Sequence, residues 1–274
     1  MSNRPAHPTK QSPASGERRA MRAFTAQYRV AATLTLDALL EGDLEWIRLV
    51  DPDAGRLDDI IIARPRRLDA YQVKWESYEE RITFRDLVSP SSVGGTPYPS
   101  PMYILGDGWR RLKHSYPDRA VRVHFLTNLS PSTGDQTGGS PADGPQHLQA
   151  FLRHAFDARA QWFAPGIAAP RSEWETPIQA LIAASAIEAP EQSEFINSCN
   201  LDLGFRLPPN ASTSPSDRRA NDIRDIAHLF QRQVASNATL TRITKADLSR
   251  LLGWSRRFEF TFTHEFPVDE RLYL

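Results

Sequence analysis

The run "DDIIIARPRRLDAYQVKWE", Asp58 to Glu76, limits the fold more than any other stretch of this 274-residue chain. Ile60, Ile61 and Ile62 stand in succession, so a strand there is apolar on both faces. Such a strand suits the middle of a sheet covered by helices on both sides. "PRR" then supplies turn material, and "LDAYQVKWE" returns with Tyr71, Val73 and Trp75 alternating against Gln72 and Lys74. Twelve residues separate Asp59 from Gln72, enough for a strand, a short turn and an antiparallel return. In that register Asp59 ends its strand close to the far end of the next. Gln72 and Lys74 share one face there, about 7 Å apart.

Lys74 is one of only four lysines in a chain with 33 basic Lys and Arg residues. Arginine and lysine are not equivalent, because the lysine pKa can move and its donors form a compact point charge. A carboxylate, a second oxygen ligand and an ammonium gathered in this space suit phosphodiester hydrolysis. Asp59 would hold Mg²⁺ (or Mn²⁺), with Gln72 completing the shell through its carbonyl oxygen. The cation acidifies a bound water and shields charge on phosphorus. Lys74 would act on that water and on the phosphate. An isolated Gln-x-Lys in a strand is usually only a solvated face, and Asp58 and Asp59 also suit a turn. The acidic pair and the scarcity of lysine favour the site.

The order of elements points to an α/β core. A helix is expected over residues 16–40, capped by Ser15, with Met21, Phe24, Tyr28, Ala31, Leu36 and Leu39 on its apolar face. Strands follow at "EWIRLV", "DDIIIAR" and "DAYQVKWE", then a long loop over Ser89–Pro101, a helix over Met102–Ser115 and a strand at "RAVRVHFLTNL". The remainder reads as mainly helical, at 147–160, 173–187, 216–236 and 244–252, with strand-like pieces at Cys199–Leu207 and Arg257–Phe266. Ile223, Ile226, Leu229 and Phe230 form a helical core stripe.

This divides the chain into a disordered tail (1–15), a core (16–135), a flexible loop (136–146) and a helical extension (147–274). The formal net charge is zero, so no global field draws nucleic acid, although a local basic groove is compatible with that. One cysteine, Cys199, excludes an internal disulfide framework and a cysteine-rich zinc site, and reads as a small residue in a strand or loop rather than a nucleophile. No apolar run spans a bilayer and no signal core opens the chain, so a soluble cytoplasmic protein is expected.

"D-D-I-I-I … Y-Q-V-K" resembles the D-(x)n-(D/E/Q)-x-K signature of the PD-(D/E)XK restriction-endonuclease-like nucleases, in which glutamine is a recurrent variant of the second acid. "RAFTAQYRVAATLTLDALLEGD" is similar to the opening helix of one branch, whose aromatic-x-x-Gln-Tyr pattern matches Phe24, Gln27 and Tyr28. "VRVHFLTNLSPS" resembles that branch's fourth strand, including Thr127–Asn128. The branch comprises double-stranded DNA nuclease domains of CBASS effectors and of bacterial antiviral STAND (Avs-type) ATPases. "HEFPVDERLYL" resembles the segment upstream of the STAND P-loop, although no G-x-x-x-x-G-K-[ST] occurs here.

The resemblance implies a mixed sheet flanked by helices, with a mainly helical C-terminal extension leading toward an ATPase domain. It implies a Mg²⁺-dependent endonuclease acting on double-stranded DNA with low sequence specificity, in antiphage defence. It further implies activation by homo-oligomerisation, as a dimer or tetramer. Gln27 would point into the site. Relatives carry an acid shortly before the Asp59 equivalent, and Asp51, Asp53, Asp58 and Glu45 all compete for that place. Asp58 stands beside Asp59 as the preferred second metal ligand. A catalytically silent relative that binds DNA or a partner is the alternative. A C-terminal half acting as sensor or dimerisation domain is a third reading.

Overall fold

A computed structural model describes residues 13–51, 54–57, 59–76, 81–93, 95–134, 147–163, 174–208, 218–235 and 242–253; for 13–23 and 93 it describes the backbone alone. The expected strand at Arg257–Phe266, most of the tail, all of the 136–146 loop, and the candidate ligands Asp53 and Asp58 lie outside these residues.

The fold is mixed α/β. Its sheet has six strands, which lie side by side in the order Ile243–Thr244, Trp46–Leu49, Ile60–Arg64, Arg67–Lys74, Ala120–Thr127 and Cys199–Leu203. Strands β1 (Trp46–Leu49), β2 (Ile60–Arg64) and β3 (Arg67–Lys74) form an antiparallel meander. β7 (Ala120–Thr127) runs parallel to β3, and β9 (Cys199–Leu203) runs parallel to β7. β10 (Ile243–Thr244) closes the other edge against β1. Both outer strands therefore come from the segment expected as a helical extension, and the sheet does not end at residue 135. The strand-like piece expected at Cys199–Leu207 contains β9, whereas β10, with two residues, gave no warning.

The isoleucine run is buried on both sides, as its composition requires. Ile61 and Ala63 face one core, together with α3 (Pro101–Ser115), α5 (Glu175–Ser185) and α6 (Gln192–Ser198). Ile60 and Ile62 face a second core under α1 (Pro13–Leu40), α7 (Arg218–Ala235) and α8 (Lys245–Leu251). Helix α3 lies close to its neighbours through "LGDGW": a Cβ at Gly106 would stand 2.2 Å from Ser185 O. Ile223, Ile226 and Phe230 are buried on α7 as expected. Cys199 is fully buried at the start of β9, and burial pushes its thiol pKa up to about 12.

Three local expectations change. α1 begins at Pro13, so Ser15 is helical rather than its cap; proline fits a first turn because its missing N–H has no partner there anyway. Phe24 is 57% exposed, while Ala31, Leu36 and Leu39 hold the buried stripe. The long loop over 89–101 contains a hairpin, β5 (Ser91–Val93) and β6 (Thr96–Tyr98). Its short, polar, proline-bearing strands carry no apolar alternation to announce them. A short helix α2 (Phe84–Val88) precedes the hairpin, closed by a capping box between Thr83 and Asp86.

Candidate functional site

The β2–β3 register pairs Ile60 with Tyr71, so Asp59, one residue before β2, stands level with Gln72. There β2 has ended, and the Val73 N–H has no strand partner on that side. The Asp59 carboxylate takes that place: Oδ2 accepts from Val73 N at 2.7 Å and from Gln72 Nε2 at 2.7 Å. A buried backbone N–H left unpaired is costly, so this bond holds the carboxylate in one position. Gln27 reaches the same point from α1, its Nε2 standing 3.3 Å from Asp59 Oδ1 and 3.4 Å from Val73 O. The structure thus brings Asp59, Gln72 and Gln27 together.

Gln72 leaves one atom unaccounted for. Its Oε1 is buried and accepts no hydrogen bond. Buried polar atoms seldom lack a partner. An amide oxygen beside a fixed carboxylate is the donor type that a hard cation takes, and such a cation keeps several waters of its own. Among the described residues no group of three or more His, Cys, Asp or Glu side chains is placed to hold a metal ion. Asp59 and Gln72 are the two described side chains of the expected ligand set that stand together, with Asp58 outside the described residues.

Lys74 follows on the same strand. It is exposed and lines the same cleft, a space of about 640 Å³ bounded by β3, α2, the β5–β6 hairpin and the start of α3. Its ammonium forms no direct ion pair among the described residues, while Lys74 and Asp59 line one cleft. Arg85 of α2 and Tyr98 of the hairpin also line it. Tyr98 carries the Arg56 guanidinium 5.5 Å above its ring.

Of the other candidate acids, the described residues include Asp51 and Glu45, and the Val50 N–H beside Asp51 donates to Asp59 O at 3.4 Å. Asp51 is fully buried, with Oδ2 accepting from Arg48 Nη1 at 2.9 Å. The turn that carries it inward strains Val50, whose φ of 52° places a β-branched residue in the left-handed region. Glu45 precedes β1 at the opposite end of the sheet, roughly 13 Å along the strand from Leu49. There it pairs with Arg119 at 2.7 Å. That position removes Glu45 from the candidate ligands.

Asn128 does more than end β7. Its Oδ1 accepts from Glu76 N at 2.9 Å and its Nδ2 donates to Glu76 O at 2.8 Å. This amide clasp holds the chain just beyond Lys74 against the end of β7, a role that a Thr-Asn pair at a strand exit only hints at.

A second polar cluster lies further back on β3. Asp69 is 3% exposed and accepts from Arg64 Nε at 2.9 Å, with Arg67 Nε at 3.0 Å. Arg64 also pairs with Asp43, and with Glu41 at 2.7 Å. His124 Nδ1 stands 2.8 Å from Asp202 Oδ2, and its Nε2 is 3.9 Å from Asp69, beyond hydrogen-bond reach. Burial pushes the Asp69 carboxyl up, but the cationic side chains around it outweigh that and hold it below its usual range. Burial pulls His124 down, and the carboxylates of Asp202 and Asp69 more than reverse this. Tyr71 stacks on the imidazole, ring centres 4.3 Å apart. The cluster went unseen in the sequence because its members lie far apart along the chain.

No protein-family model matches the chain, and no curated protein matches it. No helix among the described residues is long and apolar enough to cross a membrane.

Proposed function

We propose that this chain is a metal-dependent endonuclease domain of the PD-(D/E)XK kind, hydrolysing phosphodiester bonds of double-stranded DNA with low sequence preference. Its setting would be a cytoplasmic antiphage defence protein. The observation that carries this reading is the buried, unpartnered Oε1 of Gln72 beside Asp59, in a cleft that Lys74 also lines. Asp59 and the Gln72 amide oxygen would hold Mg²⁺ or Mn²⁺, and the bound cation supplies an acidified water and shields phosphate charge. Gln27 and the Val73 N–H fix the carboxylate. Lys74 and Arg85 bring positive charge to the phosphates in a chain with none to spare overall. The β5–β6 hairpin forms the outer wall against which a duplex would lie. Assembly of several copies, driven by further domains, would set two such clefts on the two strands of one duplex and raise the local concentration of both.

A second reading has its own support. Asp59 already serves as the cap of a strand end, and Lys74 pairs with no carboxylate among the described residues. Both fit a silent relative that binds DNA or a partner without cutting. Supercoiled plasmid incubated with the chain and Mg²⁺ or Mn²⁺, free or forced to assemble by a fused coiled coil, separates the two. Metal-dependent nicking that disappears in Lys74→Ala and Asp59→Asn supports the nuclease. Retained DNA binding without nicking, even when assembled, supports the silent module.

A further inference from the structure

On the other side of α1 a crevice of about 300 Å³ opens between α1 and α7, at the lower end of the size range of small-molecule sites. Ile223, Ala227 and Pro208 give it apolar walls, while Tyr28, Arg29 and His228 supply polar groups. None of the described lining residues is acidic.

The two inner polar groups are short of partners. Arg29 is half-buried, and of its guanidinium donors Nη2 gives one bond, to Pro208 O at 2.7 Å. No carboxylate among the described residues pairs with it, and burial pulls its pKa down, as expected for a cation without a counter-charge. The Tyr28 hydroxyl, half-buried on the preceding residue, has no hydrogen bond to a described residue. Two donors and no acid converge over an apolar floor. We infer that the α1–α7 crevice is a binding site for a small organic anion with a flat apolar body, its acidic group on Arg29 and Tyr28 and its body against Ile223 and Ala227.

This site stands apart from the cleft at Asp59 and holds whether or not that cleft cuts DNA. The two share α1, since Gln27 immediately precedes Tyr28.

1-Anilinonaphthalene-8-sulfonate is a suitable probe, titrated into the full chain by fluorescence beside N-phenyl-1-naphthylamine, which has the same rings without the sulfonate. One saturable site should bind the sulfonate about tenfold more tightly than the neutral amine, as a charge-assisted bond to a half-buried guanidinium warrants. Arg29→Met should abolish that preference while the circular dichroism spectrum and melting temperature hold, and Arg29→Lys should keep most of it. Thr25→Trp, on the exposed rim, should block both probes. Equal affinity for the two probes, or unchanged sulfonate binding in Arg29→Met or Thr25→Trp, overturns the inference. Should Arg29→Met fail to fold, Arg29→Lys and Thr25→Trp decide alone.

Discussion

Asp69 and Asp59 are both held at β3, yet different chemistry satisfies them. Asp69 lies inside the sheet's α1 and α7 face, where Arg64, Arg67 and the imidazole of His124 surround it. Charge meets charge there, and little is left for an outside molecule to do. Asp59 sits where β2 has run out, and the amides of Gln72, Gln27 and Val73 donate to it. Those neutral amides orient the carboxylate by hydrogen bonding. The first arrangement is a network of charged side chains within the sheet, whereas the second fixes a carboxylate on the wall of a cleft.

The sharpest way to break the comparison is Lys74→Ala. If the Asp59 end is the working end, plasmid nicking should fall by about 10²-fold or more, in line with losing a positioned catalytic group. The unfolding free energy from urea titration should change by less than about 0.5 kcal/mol, as expected for an exposed side chain. A large stability loss with intact nicking would assign Lys74 to the scaffold instead.

Asp69→Ala should do the reverse, costing about 2 kcal/mol by removing the buried acceptor shared by Arg64 and Arg67, although Arg64 keeps Asp43 and Glu41, read from urea unfolding. An unfolding curve matching wild type would remove Asp69 from the scaffold.

A smaller effect concerns pH. The folded pKa of His124 lies above its unfolded value, so its contribution is fully present below the unfolded pKa and is lost as pH rises through the folded one. Asp69 has the opposite sign: its contribution is present above the unfolded carboxyl pKa and is lost as pH falls through the folded one. Unfolding midpoints should therefore decline from about pH 6 toward pH 8 through His124, and His124→Gln should flatten that slope. An unchanged slope in the variant would show that His124 does not carry it.

Glu45→Gln should have the least effect. It breaks a half-exposed pair with Arg119, worth about 0.5 kcal/mol, and should leave nicking untouched because Glu45 lies at the far end of the sheet. Lost nicking would return it to the ligand set.

The β2–β3 hairpin and the approach of Asp59 to the far part of the returning strand were legible because an isoleucine triplet and a period-two strand admit few other arrangements, whereas the register that sets Asp59 opposite Gln72 was not. Gln27 was legible only through resemblance, since nothing local tells which face of a helix will meet a strand end. The His124–Asp69–Asp202 cluster was hidden because it depends on the β3-β7-β9 order, and parallel neighbours leave no turn in the sequence. β10 was hidden because its two residues pair with β1 through tertiary context alone. Phe24 misled because an aromatic residue in a helical pattern normally marks the core, and here it points outward.

Cys199 is sealed under α6, and its thiol scarcely ionises at neutral pH. A disulfide reagent added to the folded chain must wait until β9 leaves the sheet. The single sulfur atom can therefore report how often the interior opens, and when closing outpaces modification, the labelling rate converts directly into the free energy of that opening.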